Sequence, residues 1–198
     1  TRWVRVVDYK TGTKKLDLKE VYCGLDCQML LYLFSLTRDA SGHFTGAEPA
    51  GVLYLLADPA PESTTRANAA RSVEYKLDGL VRDEEKIFRA MDAEETGRYL
   101  PFGYLRGAPS PYQKDKRADA AKLSRIRLHL DDLVTQMGEQ LYGGQIAAEP
   151  LVTGRSPCRW CDYGFICCHE SGIGERALDA PAKPFEAPEE TEKKEEQP

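Results

Sequence analysis

No long hydrophobic run is present in these 198 residues, and none approaches the roughly 20 apolar residues that a membrane-spanning helix needs. A protein that crosses a membrane by a helix is therefore excluded. The phosphate-binding pattern Gly-x-x-x-x-Gly-Lys-Ser/Thr is also missing, so this sequence carries no signature of a P-loop nucleotide site. There is no internal repeat, which argues against solenoid and propeller folds.

The composition is that of an ordinary globular domain, with 41% hydrophobic and 30% charged residues. The net charge of -5 is concentrated at one end, because residues 171–198 hold eight acids and four bases. The body is therefore close to neutral, which leaves a nucleic-acid partner possible. We expect one domain at residues 1–170 and a disordered acidic tail at residues 171–198.

The hydrophobic periodicity switches between strand and helix spacing along the chain. The predicted elements are a strand at Trp3–Val7 running into Asp8-Tyr9-Lys10, a helix at about Leu18–Thr37 capped by Asp17, strands at Ala50–Ala57 and Ser72–Leu77, a short helix at Asp83–Met91, loops or short strands at Tyr99–Lys116, and a long helix at Arg117–Leu141 stopped by Gly143. This order of elements predicts an α/β fold.

The end of the first strand carries an acid and a lysine two residues apart. Asp8 and Lys10 project from the same face of the strand, because side chains alternate with period two. A carboxylate can hold Mg²⁺, and a neighbouring ammonium can orient an attacking water and offset charge on a phosphate. The alternative is an ordinary ion pair at a strand end. A second triplet, Glu74-Tyr75-Lys76, lacks the helix described next and is interpreted as structural.

The helix after this strand places Gln28 and Tyr32 on one face, four residues apart. Together, Val-Val-Asp-Tyr-Lys-Thr-Gly and Gln-Met-Leu-Leu-Tyr resemble the RecB-like branch of the PD-(D/E)XK nucleases. The resemblance implies a restriction-endonuclease-like α/β core with a mixed central sheet flanked by helices. It also implies that Asp8 is a Mg²⁺ ligand, Lys10 the catalytic lysine, and Gln28 and Tyr32 residues of the same site.

Six cysteines are present, and three of them have the spacing of a metal site: Cys158, Cys161 and Cys167. Three thiolates are one short of the four that an iron–sulfur or zinc centre of this type uses. The fourth could be Cys168, His169, one of Cys23 and Cys27, or a cysteine outside this sequence. The spacing alone does not separate iron–sulfur from zinc.

The stretch from Ser156 to Cys167 is similar to the C-terminal iron–sulfur motif of AddB-type (RexB-like) components of bacterial AddAB helicase–nucleases. The resemblance covers roughly residues 3–170 and includes Leu77-Asp78-Gly79-Leu80-Val81. It implies a [4Fe–4S] cluster on Cys158, Cys161 and Cys167, with its fourth cysteine upstream. It further implies an AddA-type helicase–nuclease partner in a heterodimer, and the bacterial cytoplasm as location.

That family also places an acidic metal ligand on a strand before the Asp8 strand. The sequence begins at Thr1, directly before a predicted core strand. We therefore expect an N-terminally truncated part of a longer subunit, inactive by itself because its metal site and its cluster are both incomplete.

A basic stretch lies between Arg98 and Arg127, where eight bases face two acids. Bases can contact phosphates, and the aromatic residues among them can stack on unpaired bases. Lys114, Lys116 and Arg117 are the DNA-binding candidates, although a solvated surface loop explains the same composition.

The function expected from these observations is a metal-dependent DNA exonuclease. It would act on single-stranded ends as part of an ATP-dependent helicase/nuclease that processes double-strand breaks for recombinational repair. One alternative is a non-cleaving single-stranded DNA-binding module held together by iron–sulfur or zinc. Another, within the enzyme class, is a stand-alone CRISPR-adaptation exonuclease, which the long stretch between Tyr32 and Cys158 disfavours.

Overall fold

The computed structural model describes residues 1–12, 14–39, 42–56, 77–154 and 156–187. Its elements in chain order are β1 (Arg2–Lys10), α1 (Leu18–Tyr22), α2 (Gln28–Arg38), β2 (Ala47–Leu56), β3 (Leu77–Arg82), α3 (Glu85–Met91), β4 (Tyr104–Leu105), β5 (Ala108–Pro109), β6 (Arg117–Ala118), α4 (Ala120–Tyr142), β7 (Leu151–Val152), α5 (Gly164–Cys167) and β8 (Arg176–Ala177). Short 3-10 helices cover Pro111–Lys116 and Pro157–Trp160.

Four strands form a mixed sheet in the order β1-β2-β3-β6. β1 and β2 are parallel, β2 and β3 are antiparallel, and β3 and β6 are parallel. The parallel pair β1 and β2 is joined through α1 and α2, because parallel neighbours need a long crossover connection. α2 packs against both of these strands. The predicted α/β class, with a mixed central sheet flanked by helices, is confirmed.

The two faces of the sheet carry separate hydrophobic cores. Val4 of β1 packs with Leu30 of α2 and Ile126 of α4, and the latter two are fully buried. On the opposite face, Trp3 packs against a cluster that contains Phe88 of α3. Because successive strand residues point to opposite faces, β1 contributes to both cores. The face that carries Val4 is the one on which Asp8 and Lys10 also project.

The single helix predicted over about Leu18–Thr37 is wrong, because the structure has two helices with a break between them. Gly24 has φ +88° and Asp26 has φ 54°, and both values lie in the left-handed region. A Cβ at Gly24 would lie 3.1 Å from Cε of Met137 on α4. The chain thus turns sharply where α4 crosses it, and α2 begins at Gln28.

The other predicted elements form with shifted ends. The second strand is Ala47–Leu56, and position 57 of the prediction lies outside the described residues. Residues 72–76 of the next predicted strand also lie outside them, and Leu77 is the first residue of β3. The short helix begins at Glu85 rather than at position 83. Asp17 caps α1 as predicted, since its carboxylate accepts from the Lys19 backbone N–H at 2.8 Å.

The long helix begins three residues later than predicted. Arg117 and Ala118 pair with β3 as strand β6, and Asp119 then caps α4 by accepting from the Lys122 backbone N–H at 2.6 Å. The helix ends at Tyr142, directly before Gly143. Among the described ranges, none of the helices, including this 23-residue one, is long and apolar enough to span a membrane.

Part of the segment expected to be a disordered tail packs onto the domain. β8 pairs in parallel with β7. Phe185 is buried, with its ring centroid 5.7 Å from that of Tyr22 and 5.3 Å from that of His129. Within residues 171–187 the structure therefore packs one apolar side chain against two partly buried aromatic rings, although the composition of this segment is acidic. Residues 188–198 lie outside the described ranges.

Candidate active site

Asp8 and Lys10 lie at the carboxyl end of β1, on the face covered by α2. Nζ of Lys10 is 2.5 Å from Oδ2 of Asp8, and each side chain is 33% exposed. The ammonium also lies over the ring of Tyr54, with Nζ 5.5 Å from the ring centroid. The pair is therefore held against the protein on one side and open to solvent on the other, as a site for an external phosphate requires.

Tyr54 lies directly opposite Asp8 in the register of β1 and β2. Its side chain is only 1% exposed, and its hydroxyl donates to Oδ1 of Asp26 at 3.0 Å. Burial first, and then the negative charge of Asp26, raise the pKa of Tyr54 well above its usual range. Charges at Asp8 and Asp78 act in the same direction. The phenol consequently stays protonated and serves as a hydrogen-bond donor.

Asp26 connects this part of the sheet to the start of α2. Its side chain is 12% exposed and pairs with Lys14, whose Nζ lies 3.2 Å from Oδ2. Asp26 precedes Gln28 by two residues, so the first turn of α2 lies beside the Tyr54 hydroxyl. This contact brings the amino-terminal end of α2 to the carboxyl end of the β1 and β2 strands.

Asp78 extends the polar cluster to the third strand, since it lies opposite Tyr54 in the register of β2 and β3. Its Oδ1 accepts from the Leu16 backbone N–H at 2.7 Å, and its Oδ2 lies 2.8 Å from Nζ of Lys116. Asp78 thereby fixes the loop that follows Lys10. Lys116, a DNA-binding candidate in the sequence, is used in an internal ion pair.

Gln28 and Tyr32 share one exposed face of α2, as their spacing predicts. Nε2 of Gln28 donates to the Tyr32 hydroxyl at 2.9 Å, and Tyr32 is 52% exposed. The hydrogen bond keeps both polar groups oriented at the surface near the first turn of the helix. Gln28 is exposed and Tyr32 is about half exposed on this face of α2.

The remaining basic candidates differ in their surroundings. Arg117 is mostly buried, with Nη1 3.2 Å from Oδ1 of Asp83 and its guanidinium 5.7 Å from the ring centroid of Phe102. Lys114 is exposed on the 3-10 helix that ends at Lys116, and no ion pair to it is found in the part of the chain that the structure describes. Lys114 is thus the candidate most available to phosphate.

The cysteines fall into two groups. Cys158 lies in the 3-10 helix Pro157–Trp160, Cys161 directly follows that helix, and Cys167 is the last residue of α5; Cys161 and Cys167 are exposed thiols. Within the described residues, no three Cys, His, Asp or Glu side chains converge as a metal site. The described residues therefore do not form a complete ligand set for a metal cluster.

Cys27 behaves as a structural residue instead. Its buried thiol donates to the Leu25 carbonyl at 3.2 Å. Burial, followed by the charge of Asp26, raises its pKa to about 11, so it stays protonated near neutral pH. Cys23 is partly buried and its Sγ lies 3.6 Å from the Asp179 carbonyl oxygen.

Sequence reasoning missed three side chains of this cluster: Tyr54, Asp26 and Asp78. Tyr54 gave one usable signal, because a buried hydroxyl in an apolar strand must find a partner. Neither acid belongs to a periodic pattern, and their positions depend on strand register and on the path of the loop.

A cleft of about 840 Å³ lies on the opposite face of the sheet and is lined in part by Val7 and Tyr9. Because side chains alternate along β1, this cleft opens away from Asp8 and Lys10. It is separate from the candidate site, and Tyr9 provides a control position on the same strand.

This chain is similar to known proteins over most of its length. The profile of the PD-(D/E)XK nuclease superfamily matches residues 1–168. The chain is 33% identical over 190 residues to an ATP-dependent helicase/deoxyribonuclease subunit of Symbiobacterium thermophilum, an alignment that covers 90% of this chain and 16% of the relative. The corresponding helicase/deoxyribonuclease subunits of Bacillus subtilis (strain 168) and Thermoanaerobacter sp. (strain X514) are 30% and 29% identical, over 87% and 86% of this chain.

The chain spans 16% of the length of each of these three relatives. The family profile, in contrast, covers the whole sheet, α2 and the cysteine segment. With an acid and a lysine paired at the carboxyl end of β1 and the Gln28–Tyr32 helix packed beside it, the chain belongs to the PD-(D/E)XK nuclease superfamily.

Proposed function

We propose that this chain is the nuclease domain of an AddB-type protein and hydrolyses phosphodiester bonds at DNA ends. The observation that carries the proposal is the Asp8–Lys10 pair, with Nζ 2.5 Å from Oδ2, at the solvent-accessible end of β1. An acid and an ammonium at this spacing suit hydrolysis of an anionic substrate, whereas a passive DNA-binding surface has no need of the acid.

Asp8 would hold Mg²⁺, because its carboxylate offers the hard oxygen ligand that this ion prefers and is one-third exposed. Bound Mg²⁺ would supply positive charge beside the phosphate under attack. Within the described residues no three ligating side chains converge, so the other ligands would be water, substrate phosphate and acids from outside these ranges.

Lys10 would position the attacking water and offset the negative charge that develops on the phosphate. In this hydrolysis the water oxygen bonds to phosphorus, the bond from phosphorus to one ester oxygen breaks, and that oxygen leaves with a proton. Gln28 and Tyr32 would hydrogen-bond the bound strand, because their amide and hydroxyl are already oriented by each other on an exposed face.

Three thiols, those of Cys158, Cys161 and Cys167, are proposed as ligands of a [4Fe–4S] cluster whose fourth cysteine lies outside this sequence. Exposure of Cys161 and Cys167 supports the proposal, since thiols without a buried packing role remain available as ligands. Iron and sulfide analysis of protein purified without oxygen, compared with its Cys158→Ala variant, tests it. Zinc with no sulfide would contradict the iron–sulfur assignment.

The relatives are named as subunits of a helicase/deoxyribonuclease. We infer by analogy an AddA-type helicase–nuclease partner in a heterodimer, single-stranded DNA ends as substrate, recombinational repair as the process and the bacterial cytoplasm as location. Lys114, exposed beside the sheet, is the basic candidate that we expect to contact DNA.

The test is Mg²⁺-dependent digestion of end-labelled single-stranded DNA by the full-length protein, compared with its Lys10→Ala and Tyr9→Ala variants. Tyr9 is the matched control, because it lies between Asp8 and Lys10 but points to the other face and is 70% exposed. We expect cutting to be lost with Lys10→Ala and retained with Tyr9→Ala. DNA that is bound but not cut by the unmodified protein would favour a non-cleaving binding module.

The 198-residue chain alone is expected to cut little or no DNA, because Asp8 supplies only one metal ligand. Strong cutting by this chain would mean that the described residues already suffice for activity.

A further inference from the structure

We propose that Tyr54 and Asp26 together position Lys10 for its reaction, with the Tyr54 ring as the surface on which the ammonium lies. This inference rests on the proposed function for its catalytic consequence, but the contact itself is independent of activity. Neither residue belongs to the acid–lysine or Gln–Tyr patterns.

The ring of Tyr54 lies beneath the catalytic pair. Tyr54 is opposite Asp8 in the strand register, and Nζ of Lys10 lies 5.5 Å from its ring centroid, within the range of a cation–π contact. A lysine side chain has four rotatable bonds, so an ion pair with Asp8 alone leaves the ammonium several positions. The ring restricts that choice, because it blocks the inner side and attracts the charge.

Asp26 in turn fixes the ring. Its Oδ1 accepts from the Tyr54 hydroxyl at 3.0 Å, while its Oδ2 lies 3.2 Å from Nζ of Lys14. Asp26 has φ 54°, a left-handed conformation that is uncommon for residues other than glycine and is often found at functional sites. The structure keeps this conformation where the carboxylate can reach the hydroxyl.

The same contact joins the two halves of the candidate site. Asp26 lies two residues before Gln28, and Tyr54 lies next to Asp8 and Lys10. A shift of the Asp26–Tyr54 hydrogen bond would therefore move the start of α2 relative to the end of β1. Distances between groups that act on one phosphate must be kept within about half an ångström for full activity.

A buried carboxylate elsewhere in the fold provides the control. Asp92 is 2% exposed and accepts from the Gly97 backbone N–H at 2.6 Å, on the opposite side of the sheet beside α3. Asp92→Asn therefore perturbs a buried acid without contact to the catalytic pair. The change in Lys10 modification with Asp92→Asn measures the effect of losing a buried acid that has only a structural role.

The test uses the full-length protein with Tyr54→Leu, Tyr54→Phe, Asp26→Gly and Asp92→Asn substitutions. Glycine is chosen at position 26 because it accepts φ 54° without strain. Asp26→Gly therefore keeps the proposal testable even if the Tyr54→Leu protein does not fold. The first measurement is the rate at which an acetylating reagent modifies Lys10, read by mass spectrometry, with exposed Lys114 as the internal reference.

We expect Lys10 modification to rise roughly three- to fivefold with Tyr54→Leu, which is the fold-change that loss of a cation–π contact allows. Asp26→Gly should raise it in the same direction, whereas Tyr54→Phe, which keeps the ring, should change it less. Asp92→Asn should leave it unchanged. Equal labelling of Lys10 in the unmodified, Tyr54→Leu and Asp26→Gly proteins would overturn the proposal.

The second measurement is DNA digestion by the same proteins. Tyr54→Leu should lower kcat about tenfold with KM nearly unchanged, because it misplaces a group that acts in the transition state. A rise in KM at constant kcat would contradict the positioning role. If the unmodified protein does not cut DNA, the proposed function fails, and the labelling result still decides whether Tyr54 positions Lys10.

Discussion

The Phe185→Ala substitution tests whether the C-terminal segment is part of the folded domain. Phe185 is 9% exposed, and its ring packs against Tyr22 and His129, whose own rings are stacked with centroids 4.6 Å apart. Two polar contacts hold the same segment, from Lys122 to Glu186 at 2.6 Å and from Arg125 Nε to the Phe185 carbonyl at 2.7 Å. Truncation of the ring removes the apolar contact and leaves these two in place.

The size of the effect follows from the burial. Transfer of a nearly fully buried phenylalanine side chain from water contributes about 2–3 kcal/mol. The loss should not reach the upper range for core positions, because the residues on both sides of Pro184 and Phe185 are exposed and can relax. We therefore expect a loss of about 2–3 kcal/mol in the free energy of unfolding, equivalent to a fall of roughly 5–10 °C in Tm for a domain of this size.

Urea and thermal unfolding of the Phe185→Ala protein measure this change, with Phe165→Ala as the matched control because Phe165 is 80% exposed. Hydrogen exchange at the amides of α1 adds a local readout, since Tyr22 is the last residue of that helix. If Phe185→Ala and Phe165→Ala have the same small effect, the segment contributes nothing to stability and the packing argument is refuted.

Further predictions concern the sheet, one thiol and two lysines. Gly79→Ala should destabilise the fold by about 3 kcal/mol, because its Cβ would lie 2.1 Å from the Val52 carbonyl oxygen. Cys27 should resist alkylation at pH 8, because its pKa is raised to about 11, and its contribution to stability should decline as pH rises from about 9 through 11. Lys116→Ala should lower the free energy of unfolding by about 2 kcal/mol, because it leaves Asp78 without its ion-pair partner. Lys114→Ala should leave the free energy of unfolding unchanged. It should reduce the slope of log binding constant for DNA against log salt concentration by about one.

Each of these predictions has a control residue in the same protein. Gly103→Ala should be nearly neutral, because a Cβ there meets nothing within 4 Å. Exposed Cys168, which is not one of the proposed cluster ligands, should react with iodoacetamide much faster than Cys27 when peptides are quantified by mass spectrometry. Urea unfolding together with fluorescence anisotropy on labelled DNA separates the two lysines, and a loss of DNA binding confined to Lys116→Ala would reverse their assigned roles.

Local periodicity explains why much of the candidate site was predictable. Asp8 and Lys10 share a face because strand side chains alternate, and Gln28 and Tyr32 share a face because a helix turns every 3.6 residues. Both relations depend only on backbone geometry, so they hold wherever the strand and the helix form. The acid–lysine and Gln–Tyr pairs therefore appear in the structure as predicted, and their roles stay predictions.

The predicted helix over 18–37 failed for a non-local reason. Its apolar stripe is genuine on both sides of Gly24, but α4 crosses the chain there, with Leu133 Cδ2 at 3.2 Å from the position of a Cβ. Helical periodicity carries no information on a residue that packs more than a hundred positions away. The same holds for Phe185, whose partners Tyr22 and His129 lie on two helices remote in sequence.

The sequence by itself determined the α/β class, the resemblance to PD-(D/E)XK nucleases and the face on which each motif residue projects, because these depend on short-range spacing. Only the tertiary structure decided that Tyr54 lies under Lys10, that Asp26 accepts from its hydroxyl and that Lys116 is used by Asp78 rather than left for DNA. Such contacts depend on strand register and on the paths of the connecting loops. Register is set by the packing of the whole sheet, which no single segment of the chain encodes.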